Sequence, residues 1–269
     1  MGSFEIKQTA APPSHTFSKK RMLSAFSPFA TREAYNAIRA KLLFTGRGER
    51  CPVFALTSAE AHDGKTTNAV NLSISIASTQ KKVLLIDADM RKPTVHRYFD
   101  LDNQSGLSAI LAGLTNEINI RRTNVENLHV LTSGLIPPNP AELLGSRQMD
   151  SLLAYVRDYF DYVLIDTPPV NLVTDAVTLA EKTTGYVFVV QNGKNHSYEL
   201  ARALDTLRQI NGNVVGFILN DASGKTESRY GGRRSYSGKG YYGKNAYDGY
   251  SSFYGSQETP PPKRGREGR

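Results

Sequence analysis

The chain has 269 residues, enough for one large domain or two small ones, and its hydrophobic content of 39% is low for a chain that packs throughout. A single cysteine, Cys51, excludes an internal disulfide and fits a reducing compartment; no apolar run has the length of a membrane span, and the start lacks a signal-peptide core, so a soluble cytoplasmic chain is expected. The net charge of +8 sits mostly at one end: residues 224–269 carry ten basic against four acidic side chains, a net +6, so no basic nucleic-acid-binding core is expected in the near-neutral middle.

In chain order, residues 1–30 hold Pro12, Pro13, Pro28 and the basic trio Lys19, Lys20, Arg21 without sustained periodicity, and are expected to form a flexible arm. Residues 31–44, TREAYNAIRAKLLF, place Tyr35, Ile38 and Leu42 on one helical face, with Thr31 as a possible N-cap. Six short apolar runs follow: VFALTS (53–58), VLLIDA (83–88), LHVLTS (128–133), YVLIDT (162–167), YVFVVQ (186–191) and VVGFILN (214–220). Most are continuously apolar, as strands covered on both faces are. Between them, residues 65–79 align Val70, Ile74 and Ala77, and residues 197–210 align Leu200, Leu204, Leu207 and Ile210, both at helical spacing. Strand and helix alternating in this way predict an α/β fold: a doubly wound, mostly parallel sheet with helices on both sides. The expected organisation is an arm over 1–30, a catalytic domain over 31–223 and a disordered tail over 224–269.

The segment AEAHDGKTT, residues 59–67, lies between the first apolar run and a helix. It has phosphate-loop spacing, with Ala59 where the first glycine is usual, then Gly64, Lys65 and Thr66. Amides at a helix N-terminus cradle an anion, Gly64 lets the backbone approach it, Lys65 neutralises the β and γ oxygens, and the Thr66 hydroxyl can ligate Mg²⁺. Two later runs end in carboxylates, Asp87 and Asp89 in VLLIDADMRKP and Asp166 in YVLIDTPP. Ligands in an open α/β sheet sit at the carboxyl ends of strands, so these acids are placed to converge on one metal–phosphate site. Lys65, Thr66, Asp87 and Asp166 together supply what phosphoryl transfer needs. His62 offers either a phosphate contact or an ordinary solvated loop side chain, and Arg91 with Lys92 offer either neutralisation of phosphate or a solvated helix start.

The tail segment RYGGRRSYSGKGYYGKNAYDGYSSFYG, residues 229–255, holds Tyr230, Tyr236, Tyr241, Tyr242, Tyr247, Tyr250 and Tyr254, seven of the chain's 14 tyrosines. Glycine and serine around them offer no core; alone such a tail reads equally as a solubilising spacer, and beside a phosphate site the phenols read as acceptors on a flexible leash. A phenol of pKa about 10 stays protonated at neutral pH and needs a carboxylate nearby to lose its proton. Phosphates on all seven would add roughly −10 to −14, which overturns the tail's positive charge.

SAEAHDGKTT, VLLIDADMRKPTVH, LTSGLIPPNPAELL and YVLIDTPPVNLVTDA, in this order over about residues 31–222, resemble the bacterial tyrosine kinases of capsule and exopolysaccharide synthesis. The resemblance implies a P-loop kinase using ATP and Mg²⁺. It makes Lys65 and Thr66 part of Walker A, Asp87 and Asp89 the acids of a motif called A′, and Asp166 that of Walker B. Ala59, Asp63, Gly64, Lys65, Thr66, Thr67, Asp166 and Asn220 are then the nucleotide-binding residues, and Thr66, Asp87 and Asp166 the metal residues. Lys65, Asp87 and Asp89 are the catalytic group, with Asp87 as the base for the incoming tyrosine and Asp89 the alternative. The seven tail tyrosines are the implied phosphorylation sites. A ring, an octamer in the family, is implied through a helix of pattern E-x-x-R-x-x-R, matched here by Glu33 and Arg39 with Asn36 in place of the middle arginine. The implied partners are a membrane polysaccharide co-polymerase as adaptor at the inner face of the membrane, a tyrosine phosphatase and further protein substrates. No specific nucleic acid is expected. Without a membrane span the chain fits the type whose adaptor is a separate protein, or a piece of a fused one.

Two other readings share parts of this pattern. A positioning ATPase of the ParA/MinD kind has the same acids, but its early loop lysine is matched here by Glu60 or Ala61. RNA or partner binding through the Gly/Arg/Tyr tail rests on GGRR at 231–234.

Overall fold

The computed structural model describes residues 4–9, 22–193 and 197–220. The tail tyrosines, Lys19–Arg21, Pro12 and Pro13 lie outside them. Among the described residues eight strands form one sheet: β1 (Glu5–Thr9), β2 (Val53–Ser58), β3 (Val83–Asp87), β4 (Glu117–Arg122), β5 (Leu128–Leu131), β6 (Tyr162–Asp166), β7 (Gly185–Gln191) and β8 (Val214–Asn220). Their order is β1-β4-β5-β3-β6-β2-β7-β8, with every pairing parallel except β4 with β5. The helices are α1 (Phe29–Thr45), α2 (Lys65–Ala77), α3 (Val95–Tyr98), α4 (Leu107–Leu111), α5 (Pro140–Gly145), α6 (Arg147–Val156) and α7 (Ser197–Gln209), with a 3-10 turn at Val177–Lys182. Among the described residues no helix is long and apolar enough to cross a membrane.

The sheet has a core on each face, which is why its central strands are apolar throughout. On one side Phe54, Leu56, Leu85, Val130 and Leu164 pack with Val70, Leu72, Ile76 and Leu42 from α2 and α1. On the other, Val53, Ala55, Leu84, Ile86 and Ile165 pack with Leu107, Leu144, Met149, Leu152 and Leu207 from α4–α7. The doubly wound architecture read from the sequence is the one found. Four of the six expected strands differ in their bounds, and three of them stop short of the apolar run. β3 ends at Asp87 and β6 at Asp166, where the acids turn toward the site. β5 ends at Leu131, because the carbonyls of Thr132 and Ser133 accept from the amides of Leu107 and Ser108 instead of a ladder partner.

Two strands differ from the expectation more fundamentally. Glu5–Thr9, inside the expected arm, runs parallel to β4 from Glu5↔Glu117 to Thr9↔Arg121. An edge strand needs one neighbour for its ladder and little apolar area, so composition does not reveal it. β4 itself has only Ile118 and Ile120 as buried residues in EINIRR, too short an alternation to stand out. The first helix starts at Phe29, with Pro28 rather than Thr31 at its N-cap; proline's fixed φ suits the residue before a helix, and Thr31 lies within the first turn.

α1 lies on α2 through a polar seam. The Tyr35 hydroxyl donates to Asn68 Oδ1 (2.9 Å) and accepts from Asn71 Nδ2 (3.2 Å), all buried. Arg39 Nη1 donates to the Ser75 carbonyl (2.7 Å) and lies 3.2 and 3.3 Å from the hydroxyls of Ser75 and Ser78. Tyr35→Phe removes the donor to Asn68 Oδ1 while keeping the ring. We expect a loss of about 1–2 kcal/mol, read as a melting point lower by roughly 2–6 °C. An unchanged melting point would mean that water replaces the phenol at no cost.

Candidate functional site

β3, β6 and β2 are neighbours, so their carboxyl ends bring three segments to one place. Asp87 and Asp166 stand opposite each other in the β3–β6 register, and the phosphate loop follows β2. The segment after Asp166 is stitched to β2: Thr167 Oγ1 donates to the Leu56 carbonyl (2.8 Å), Thr57 Oγ1 to the Pro168 carbonyl (3.0 Å) and Val170 N to the Ser58 carbonyl (2.9 Å).

The loop holds its own shape. Asp63 is buried, and its Oδ2 accepts from the Glu60 amide (3.1 Å); Ser58 Oγ donates to the Glu60 carbonyl (2.6 Å). His62 has φ 68° and is exposed. Gly64 is the N-cap of α2 at φ 94°, and a Cβ there would lie 2.2 Å from Asn220 Nδ2. Only glycine fits a left-handed residue packed this tightly. Asn220, at the end of β8, donates from that Nδ2 to the Asp63 carbonyl (2.9 Å). The sequence placed Asn220 with the nucleotide; it touches the loop that would hold it. Ala59 is buried at the loop's start, and the Thr67 hydroxyl pairs with the Tyr98 hydroxyl (2.7 Å) rather than facing the acids.

Lys65 opens α2 and is only 8% exposed. Thr66 Oγ1 donates to Asp166 Oδ2 (2.6 Å) and accepts from Thr94 Oγ1 (3.3 Å). Asp87 Oδ2 accepts from the amides of Thr94 (3.1 Å) and Val95 (3.0 Å). Both acids are fully buried, and the Oδ1 atom of each has no hydrogen-bond partner. Burial raises the pKa of Asp87 well above the carboxylate range, and the like charge of Asp166 raises it further. Burial also raises Asp166, opposed by the Thr66 hydrogen bond and the Lys65 charge. Asp89 is half-buried on the following loop, its Oδ1 capping the Lys92 amide (3.0 Å).

The structure therefore brings Gly64, Lys65, Thr66, Asp87, Asp89 and Asp166 together as the sequence expected. Glu33 and Asn36 lie elsewhere, on α1, joined by a hydrogen bond from Asn36 Nδ2 to Glu33 Oε1 (2.8 Å), while Arg39 is engaged with α2. Three residues escaped the sequence reading: Thr94, Tyr98 and Asp175. Thr94 carried no motif; Asp175 is the partner of Arg91, whose guanidinium is paired with its carboxylate.

Comparison with known proteins agrees with this geometry. Residues 55–215 match the family model described as an AAA domain. The chain is 38% identical over 189 residues to the putative tyrosine-protein kinase CapB of Staphylococcus aureus, covering 70% of this chain and 83% of that one. It is 40% identical over 200 residues to the tyrosine-protein kinase YwqD of Bacillus subtilis, covering 74% and 84%. The solved kinase domain of the Escherichia coli tyrosine kinase ETK superposes with a TM-score of 0.68 at 30% identity, covering 87% of this chain and 93% of that one. A buried acid pair thus faces a phosphate loop in a chain similar to such kinases over most of their length. The chain belongs to the bacterial tyrosine kinases of capsule and exopolysaccharide synthesis.

Proposed function

We propose that this tyrosine kinase transfers the γ-phosphate of ATP to the tyrosines of its own tail, Tyr230, Tyr236, Tyr241, Tyr242, Tyr247, Tyr250 and Tyr254, between subunits of a ring. The observation that carries this reading is the pair of buried carboxylate oxygens, Asp87 Oδ1 and Asp166 Oδ1, left without a partner at the mouth of the phosphate loop. An uncompensated buried charge pair is costly, and a divalent cation is the group that fits it. Thr66, Asp87 and Asp166 would hold Mg²⁺, which when bound screens the phosphate charge.

The remaining work falls to the chain. Lys65 and the amides at the start of α2 hold the phosphates, with Ala59, Asp63, Gly64 and Thr67 shaping that loop and Asn220 closing its side. Asp87 takes the phenol's proton, and its carboxylate plane is set by the two amides that hold Oδ2. Asp89 is the alternative acceptor.

In this reading the kinase sits at the inner face of the membrane on a polysaccharide co-polymerase adaptor, with Glu33, Asn36 and Arg39 near the subunit contact. A tyrosine phosphatase resets the tail, further proteins serve as substrates, and tail phosphorylation regulates capsule or exopolysaccharide synthesis and export.

Incubating the full chain with MgATP and mapping phosphate by mass spectrometry, beside a Lys65→Ala control, tests this. Phosphate is expected on tail tyrosines of the wild type alone. Hydrolysis of ATP with no phosphotyrosine would defeat the reading in favour of a positioning ATPase.

A further inference from the structure

The loop between β3 and α3, residues 88–94, carries Asp89 and supplies the Thr94 amide and hydroxyl to the site. Its ends are fixed by the backbone, Ala88 N to the Asp166 carbonyl (2.8 Å) and Thr94 N to Asp87 Oδ2 (3.1 Å). Near its middle stands Arg91. Arg91 Nε donates to Asp175 Oδ2 and Nη2 to Asp175 Oδ1, each at 2.9 Å, a fork on a carboxylate. The arginine side chain is 41% exposed, whereas Asp175 is fully buried.

Asp175 is firmly rooted. The Thr178 hydroxyl donates to its carbonyl (2.8 Å), and the buried Tyr186 hydroxyl donates to the carbonyl of Ala176 beside it (2.6 Å). It follows the segment stitched from β6 onto β2, so the fork ties the loop bearing Asp89 to the loop leaving Asp166.

We propose that Arg91 is a positioning residue for phosphoryl transfer: paired with Asp175, it locks the 88–94 loop and so sets where Asp89 and Thr94 stand beside Thr66 and Asp87. This rests on the kinase reading of the site. The fork uses two of the guanidinium's five N–H donors, and those two are not available to a phosphate. Turning them to a phosphate would strand a buried carboxylate. Lysine cannot replace the fork, since an ammonium offers no pair of parallel donors.

The test uses the full chain with MgATP, reading initial rates of tail phosphorylation against ATP concentration. Arg91→Lys should lower kcat about tenfold and Arg91→Ala about 100-fold, with KM for ATP held within about twofold, as loss of alignment does. Asp175→Asn should be slowed similarly, and the double variant with Arg91→Ala no more than the slower single one. A raised KM for ATP with kcat kept, or losses that multiply in the double variant, would overturn the proposal, because Arg91 would then act on phosphate itself. If Asp175→Asn does not fold, the split between kcat and KM in the Arg91 variants decides alone. A wild-type chain that transfers no phosphate overturns both readings; wild-type transfer matched by Arg91→Ala overturns only this one.

Discussion

Lys65→Ala should lower tail phosphorylation by about a thousandfold, or about 4 kcal/mol of transition-state stabilisation, while leaving the unliganded fold as stable as before or slightly more so. The expectation follows from where the ammonium stands. Lys65 is the first residue of α2 and is nearly buried. A helix N-terminus carries about half a positive charge, so a cation there opposes the helix dipole and costs about 0.3–1 kcal/mol before any ligand arrives. Its one evident compensation is Asp166, whose proton affinity it lowers. Alanine removes the opposition and is a better helix former. An anion bound at the loop reverses the balance: the ammonium then neutralises charge in a site closed to water, where each unit charge counts for more. Melting curves without nucleotide and phosphorylation rates with MgATP separate the two effects. A variant that melts several degrees lower would show that Lys65 holds the fold rather than the phosphate.

How legible such features were depended on whether their cause is local in sequence. The three central strands were readable because burial on both faces leaves a continuous apolar run, and Asp87 and Asp166 were readable because each run ends in an acid. The phosphate loop was readable because glycine and lysine at a helix start have few other uses. Glu5–Thr9 was not, since an edge strand is specified by a neighbour's free ladder atoms, which leave no mark on its own composition. Thr94 was not, because its part is played by a backbone amide and a hydroxyl that any turn could carry. The pairing of Arg91 with Asp175 spans 84 residues and becomes visible only when β3 and β6 are laid side by side. Arg39 shows the reverse: its motif was legible, yet its guanidinium is engaged on α2 within the same chain.

Asp87→Asn should abolish phosphorylation, by about a thousandfold, and stabilise the unliganded protein by about 1–3 kcal/mol near pH 8. The introduced carboxamide can keep the two amide bonds of Thr94 and Val95 through its carbonyl oxygen, so the start of α3 is preserved. What disappears is one of two buried acids that repel each other. The pH dependence identifies the cause. Burial pushes Asp166 up to about 7 and Asp87 well above the ordinary range, so the native state holds protons that the unfolded chain has released. Between about pH 4, where an unfolded aspartate ionises, and these raised values, the unfolded state binds fewer protons. Stability from the pair is therefore full below about pH 4 and is lost as pH rises through the native values. The substitution removes one of these titrations and relieves the other, so the variant should lose less. Melting points of both proteins at pH 5, 6, 7 and 8 give the measure, because other titrating groups largely cancel in the difference. The gap should be small at pH 5 and widen to roughly 2–10 °C at pH 8. A gap that stays constant or narrows would mean that the two carboxylates are not held in mutual repulsion, and with that the case for a cation between them would fall.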